Sequence, residues 1–432
     1  MVLTLAAASA GFCTYFSMYA FRKPFTAATF DAVPGWTFAL DYKAALVIAQ
    51  VAGYALSKLL GVKIVSETPP AKRAGAIVAL VTVSWLALVL FAVTPAPWNL
   101  AAIFLNGLPL GLIWGLVFGF MEGRRTSELL GAVLCASFIV SSGAVKSVGK
   151  QLMVEGGVSP FWMPAATGAV FFPLLLISVL VLYQLPPPDA ADEAARVRRA
   201  PMDGRERADF LAAYAWPVAL LVAGYVLLTA FRDFRDNFAA EIWRALGSGE
   251  QSAVFTASEL PVAIVALTGL GAVMLVRDNR RALATMLAIV FAGFALIGAS
   301  TLAFEARMLS PLAWMIATGA GVYLAYTPFN AMLFDRLLAF SGRIGTAGFL
   351  IYVADASGYV GSVGLLVWRN VGAPALDWLR FFMLVAYATS ALGILLTPAA
   401  AAALFAGSRR TVRAASVTAA AARSSEPVAD VG

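Results

Sequence analysis

YFSMYAFRKPF, Tyr15 to Phe25, sets Arg22 and Lys23 side by side inside an apolar run long enough to cross a bilayer. A charge at the centre of a membrane helix costs at least ~2.5–3.5 kcal/mol on insertion scales, so such residues face a bundle interior or a water-filled cavity and mark functional sites. Much of the stretch returns later. Tyr15 and Ala20-Phe21-Arg22 reappear as Tyr225 and Ala230-Phe231-Arg232, 210 residues on in each case. A repeat at that distance, centred on a membrane arginine, predicts two related halves.

The composition agrees with a membrane setting. The 432 residues are 61% hydrophobic and 13% charged, with a mean hydropathy of +0.83. Soluble domains run at about 45–50% apolar and about 25% charged. A polytopic membrane protein follows, and a soluble enzyme is excluded, because no long polar domain stands outside the apolar runs. At about 20 residues per span, twelve spans are predicted, at roughly 3–30, 42–61, 75–94, 98–121, 129–150, 162–185, 211–242, 253–276, 282–304, 311–334, 345–369 and 378–405. The first and seventh are long and should tilt or extend past the hydrocarbon core. Pro186 to Asp209 is the long polar loop. It divides the chain into a six-helix bundle over residues 1–185, a cytoplasmic linker over 186–210, a second six-helix bundle over 211–405 and a cytoplasmic tail over 406–432, read as disordered from its Ala/Ser/Arg composition. The first twenty residues resemble a signal peptide, but they lack a basic n-region and the apolar run continues past the AAASA mock site. They are read as the first span, with a few residues expected to precede it.

Orientation follows from Lys and Arg placement. Of 31 basic residues, nineteen fall on the face of the even-to-odd loops, the central loop and the tail; six fall on the opposite face and six within spans. Both termini are therefore expected in the cytoplasm, in a bacterial inner membrane. The net charge of +7 is mostly this bias and no nucleic-acid surface. Cys13 and Cys135 sit in predicted spans as small packing residues, and the chain has no histidine, which rules out histidine metal sites and histidine proton relays. No cofactor and no metal are expected.

The halves match further. Helix 4 ends in FGFMEGRR with Glu122 and Arg124, and helix 10 in NAMLFDR with Asp335 and Arg336, the acids 213 apart. Parallel halves related by an axis along the membrane normal are the architecture of the major facilitator superfamily, whose substrate sites lie near the midplane between the halves. The expected fold class is therefore all-α, with twelve transmembrane helices related by a pseudo-two-fold axis. YAFRKPFTAATF and QVAGYALSKLLGVKIVSE resemble helices 1 and 2 of the organophosphate:phosphate antiporters, a resemblance that extends to helix 7 through Arg232 ahead of Asn237-Phe238. It implies that Arg22 and Arg232 bind phosphate. The chain departs from that family in lacking its substrate histidine and in having Pro24 after the Arg-Lys pair. VRDNRR, Val276 to Arg281, resembles the superfamily's Asp-x-x-Arg-Arg loop, and the chain as a whole resembles an uncharacterised bacterial family of similar architecture.

Several polar residues fall on stripes within the spans. Tyr15, Tyr19 and Arg22 share one helix face, and Pro24 should kink or open the helix beside them. The functional reading is an anion site with tyrosine hydrogen bonds, and the alternative is a pair that snorkels to the headgroups. Lys23 points elsewhere on the helix. Gln50, Tyr54 and Ser57 line helix 2 with Lys58 at the edge, either as cavity lining or as glue between helices. Lys146 follows Ser142 by four residues. Asn330 shares a face with Tyr323 and Thr327, interrupted by Pro328. These give the expected substrate ligands: Arg22, Arg232, Tyr15, Tyr19, Lys23, Gln50, Tyr54, Lys146 and Asn330. Arg232 and Asp236 stand i, i+4 and suit a local ion pair. Asp355 lies mid-helix in the stripe Tyr352, Asp355, Tyr359, Ser362, with Arg232 or Arg235 as its expected partner. Glu259 precedes Pro261, which suggests an opened backbone. Asp355, Glu259, Arg235 and Asp236 are thus candidates for proton coupling or ion pairing, and Glu122, Arg124, Asp335 and Arg336 for gating.

No P-loop is present and Ser142–Lys146 is a weak hydrolase signal, so no enzyme is expected. The reading is a monomeric secondary transporter in the lipid bilayer, moving a small, anionic solute by exchange or proton coupling. A neutral or zwitterionic cargo and a transporter-like sensor are the alternatives; a sensor usually carries an output domain, and only a short loop and tail stand outside the spans.

Overall fold

A computed structural model of the protein describes residues 2–121, 124, 126–187, 192, 204–341 and 348–424. The loop arginine Arg125, most of the central loop and Glu122 lie outside the described residues. Among them twelve helices have at least 18 residues. The first six are α1 Val2–Tyr19, α2 Tyr42–Glu67, α3 Pro70–Val93, α4 Asn99–Phe118, α5 Ser127–Val154 and α6 Met163–Tyr183. The others are α7 Gly204–Asn237, α8 Val254–Met274, α9 Asn279–Glu305, α10 Pro311–Pro328, α11 Gly348–Val367 and α12 Trp378–Ser424. Starts are encoded locally. Asp41 caps α2 by accepting from the Ala44 amide at 2.9 Å, Asp278 caps α9 through the Arg281 amide at 2.8 Å, and Pro70, Pro164 and Pro311 occupy first turns, where their missing N–H costs nothing.

Packing repeats with the sequence. α1 lies on α5 and α6, α2 on α4, and α3 on α4 and α6; likewise α7 lies on α11 and α12, α8 on α10, and α9 on α10 and α12. The halves meet where α5 packs on α8 and α2 on α11. Nine of the helices are each long and apolar enough to cross a membrane. α1, α2 and α10 stand outside that set, and they or the turns that follow them bring polar groups to the interior. Small residues let helices close on one another. A Cβ on Gly107 of α4 would stand 2.3 Å from the Gln50 carbonyl of α2.

Three expectations need correction. The first span does not run unbroken to residue 30: α1 ends at Tyr19, and after an open turn Pro24–Ala27 forms a buried 3-10 turn. Pro24 has no amide to continue the helix, which is the physical cause. α8 runs through Pro261 without the expected opening near Glu259. The final helix continues past residue 405 to Ser424, because its alanine-rich sequence favours helix where disorder was expected.

Candidate functional site

The opened turn after α1 frees backbone carbonyls inside the bundle, and side-chain amides take them up. Asn106 of α4 donates to the Phe21 carbonyl at 2.9 Å, and Gln50 of α2 donates to the Arg22 carbonyl at 2.9 Å. Gln50 also donates to Asn106 Oδ1 at 2.7 Å, and Asn106 Nδ2 donates to Ser84 Oγ of α3 at 2.6 Å. Gln50, expected as a solute ligand, here holds the turn that carries Arg22. Asn106 had a signal in the sequence, an amide within the apolar run FLNGLPLG, seven residues after Asn99 on the same helix face. Asn106→Leu leaves the Phe21 carbonyl unpaired and takes the Oδ1 acceptor from Gln50, at about 1–3 kcal/mol per buried group left unsatisfied. The unfolding midpoint in detergent is expected to fall clearly, and an unchanged midpoint would show that the turn stands without it.

The turn aims Arg22 into the interface between the halves. Its guanidinium lies over the Tyr54 ring at 4.0 Å and near the Tyr19 ring at 5.7 Å. Nε is buried without a hydrogen-bond partner, and no carboxylate reaches the group among the described residues. Tyr15 packs edge-on against Tyr19 and Trp114, at 5.6 and 5.2 Å, and forms the wall behind.

The repeat places Arg232 differently. α7 stays helical through Asn237, because Phe234 stands where the first half has Pro24. Arg232 lies over the Tyr326 ring at 4.1 Å and pairs with its neighbour Asp233 at 2.7 Å, in place of the expected partner Asp236. Ser362 donates to the other oxygen of Asp233 at 2.8 Å. Tyr19 lies within electrostatic reach of both Arg22 and Arg232, so the two arginines share one neighbourhood.

Asp236 instead joins the halves. It pairs with Lys23 and with Lys146, the latter at 2.6 Å, and accepts from Ser142. Lys23 also donates to Asn237 at 2.7 Å. Lys43 of α2 pairs with Glu241 of the short helix Ala239–Ala245 at 2.7 Å, and at the rim Arg244 meets Asp31 at 2.8 Å. All of these ties join the two halves at the end of the bundle opposite the chain termini. Nothing in the sequence pointed to Lys43 or Glu241 as partners, because the pair is 198 residues apart and no local spacing reports it. Arg235 is an internal strut: it pairs with Glu259 of α8 at 2.7 Å and donates to the Met315 carbonyl at 2.8 Å. It passes close over Gly319, where a Cβ would stand 2.5 Å from its guanidinium.

A second cluster lies nearer the other end. Asp355 pairs with Lys58 of α2 at 2.6 Å and accepts from Tyr225 of α7 at 2.5 Å, so its cation is neither of the expected arginines. Arg232 and Arg235 already hold other acids, and only Lys58 faces Asp355 across the α2–α11 contact. Tyr225 lies 3.0 Å from the Tyr326 hydroxyl and 3.4 Å from Asn330, which sits on the π turn Phe329–Leu333 that follows Pro328.

Of the gating candidates, Arg336 donates to Asn279 at 2.7 Å and Arg124 to the Pro186 carbonyl at 2.5 Å. Both contacts stay within one half. Asp335 sits half-buried in the short helix Phe334–Phe340.

The interior charges can be counted. Lys23, Lys43, Lys58, Lys146, Arg232 and Arg235 hold Asp233, Asp236, Glu241, Glu259 and Asp355 in ion pairs, with Lys23 and Lys146 sharing Asp236. Arg22 is the cation left over in this set; Arg369, buried just past α11, also meets no carboxylate among the described residues and lies over the Trp378 ring at 4.5 Å. The seven cations Lys23, Lys43, Lys58, Lys146, Arg232, Arg235 and Arg22 thus exceed their five acids by two positive charges.

Comparison with solved structures gives the fold a name. The D-xylose-proton symporter matches with a TM-score of 0.63 at 13% identity, over 93% of this chain and 96% of its own. A bacterial homologue of the human drug peptide transporters PepT1 and PepT2 matches at 0.62 and 13%, over 94% and 98%. The nucleoside transporter NupG matches at 0.58 and 14%, over 92% and 98%. These likenesses establish the major facilitator fold of an integral membrane protein. A search of curated proteins found no match. The sequence itself matches the model of DUF5690, a family of unknown function, over residues 24–406, and the chain belongs to that family.

Proposed function

We propose that the chain is a secondary transporter working by alternating access, and that its cargo is a small anion, phosphorylated or carboxylated, with Arg22 as the first ligand. The observation that carries this is the charge count: of the seven cations in that set, the other six hold carboxylates, and Arg22 has none among the described residues. An unpaired buried charge is costly, and a site that keeps one is arranged for a counter-ion from outside the chain. A guanidinium can grip two oxygens of a phosphate or carboxylate at once. Tyr54 supports its face at 4.0 Å, and the Tyr19 ring lies 5.7 Å away. Arg232 serves as a second, weaker ligand, because Asp233 competes for it. Lys23 and Lys146 complete the positive field. The resemblance of helices 1, 2 and 7 to organophosphate:phosphate antiporters supports the same cargo class. A neutral cargo would leave Arg22 uncompensated.

The two contacts between the halves, α5–α8 and α2–α11, are the surfaces across which they would rock. The Lys and Arg bias supports cytoplasmic termini in a bacterial inner membrane, and the protein is taken to act as a monomer. The test is uptake into proteoliposomes of labelled inorganic phosphate, with and without phosphate trapped inside, challenged by phosphate esters, dicarboxylates, D-xylose, a dipeptide and a nucleoside. Trans-stimulated uptake inhibited by the anions alone is expected. Inhibition by the neutral or zwitterionic solutes with none by the anions would overturn the reading.

A further inference from the structure

We infer that Asp355 is a proton-binding site, filled when α2 separates from α11. The inference rests on the alternating-access reading, but not on the identity of the cargo.

The geometry divides the cluster between the halves. Lys58 belongs to the first half; Asp355 and Tyr225 belong to the second. Among the described residues the charged and titratable groups facing Asp355 can be named. α2 contributes Lys58 and Tyr54, and α7 contributes Tyr225 with Arg232 beyond it. α10 contributes Tyr326 behind Tyr225, and α11 itself contributes Tyr352 and Tyr359. Among the described residues Lys58 is the only cation in contact with the carboxylate; Arg232 is already held by Asp233. Motion that parts α2 from α11 therefore takes away the whole charge compensation of Asp355 and leaves it one phenol hydrogen bond.

A lone carboxylate in such a site is strongly disfavoured, and protonation removes the cost. The proton comes from water and bonds to the Oδ2 that Lys58 vacates. Lys58 keeps its own protons, so the pair gains one positive charge in the separated state. Water has a route, since the side chains of Lys58 and Asp355 retain 27% and 14% exposure although they lie between spans. In the present state the pair is closed and holds no extra proton. Each passage through the separated state thus binds one proton, which offsets one negative charge of a bound anion.

Linkage makes this measurable without any solute: a proton bound only in the separated state favours that state as pH falls. Val51 of α2 is buried at a crevice it shares with Asp233, Ser362 and Val363, where α2 meets α7 and α11. In a background with Cys13→Ala and Cys135→Ala, a Val51→Cys thiol reports separation through its alkylation rate, normalised to the same thiol in unfolded protein. The normalised rate is expected to rise by about threefold or more between about pH 8 and about pH 5.5. It should be flat over that range in Asp355→Asn. The paired variant Lys58→Met with Asp355→Asn leaves no lone charge to disturb folding and should be equally flat. A flat profile in the parent, or a slope that survives in the paired variant, overturns the inference. Neither result bears on whether an anion binds Arg22.

Discussion

Arg22→Gln protein folds and inserts but binds inorganic phosphate at least about 100-fold more weakly than the parent, since two charge-assisted hydrogen bonds of about 1.5–3 kcal/mol each are lost. Folding is spared because no carboxylate among the described residues depends on Arg22; its loss removes an excess charge and leaves no orphan. Arg22→Lys keeps the charge but not the planar fork, and an intermediate loss of about tenfold is expected. Arg232→Gln behaves differently, although the sequence repeat makes the two arginines look equivalent. It strands Asp233 beside Ser362, so the variant loses stability before it loses affinity. Arg232→Gln with Asp233→Asn removes both charges, and it should restore stability and retain most phosphate binding. Thermal shift and equilibrium binding with phosphate separate the four proteins. Arg22→Gln protein that binds phosphate like the parent would remove the anion site from this reading, and equal losses in Arg22→Gln and the paired variant would make the two arginines equivalent after all.

The asymmetry between the arginines shows what the sequence could and could not disclose. The repeat, the span pattern and the polar stripes are local or periodic signals, and they placed the helices and nearly every interior charge. Pro24 announced the break after α1, because a missing amide acts on its own helix. Partnership is a different matter. Arg232–Asp236 is a reasonable pair at i, i+4, yet Asp236 turns to Lys23 and Lys146 across the bundle while Arg232 takes the adjacent Asp233. Asp355 selects Lys58, 297 residues away, over two arginines of its own half. Which cation an acid meets depends on the approach of whole helices, and that depends on small residues such as Gly107 and Gly143, where a Cβ would stand 2.3 and 2.5 Å from backbone of the next helix. No spacing rule contains that information. Asn106 was missed for a related reason: its partners are carbonyls released by a break elsewhere, and their need is invisible at Asn106 itself.

The same reasoning makes Asp236 the residue whose neutralisation should most change the balance between the halves. It is a single carboxylate between two lysines of the first half, with Ser142 as a further donor, so Asp236→Asn leaves Lys23 and Lys146 as like charges in a closed interface. Removing one partner of a buried pair costs about 3–5 kcal/mol. Most of that cost falls on the closed arrangement, because lysines at a parted interface regain water. A bias of about 3 kcal/mol corresponds to more than about 100-fold in the ratio of the two arrangements. Ser147 and Thr256 report on it, since their hydroxyls lie 2.7 Å apart across α5 and α8 at the same end. A Thr256→Cys thiol, half-buried against Ser147 in the parent, should be alkylated at least about tenfold faster in the Asp236→Asn background. Adding Lys146→Met reduces the excess charge, and Lys23 keeps Asn237 as a hydrogen-bond acceptor, so protection should return in part. Lys43–Glu241 remains intact in all of these proteins and limits how far the end can open. Equal alkylation rates with and without Asp236→Asn would mean that the Lys43 pair and the α5–α8 packing hold this end closed by themselves. Arrival of an anion at Arg22 could then no longer release the halves by drawing the adjacent Lys23 from its carboxylate.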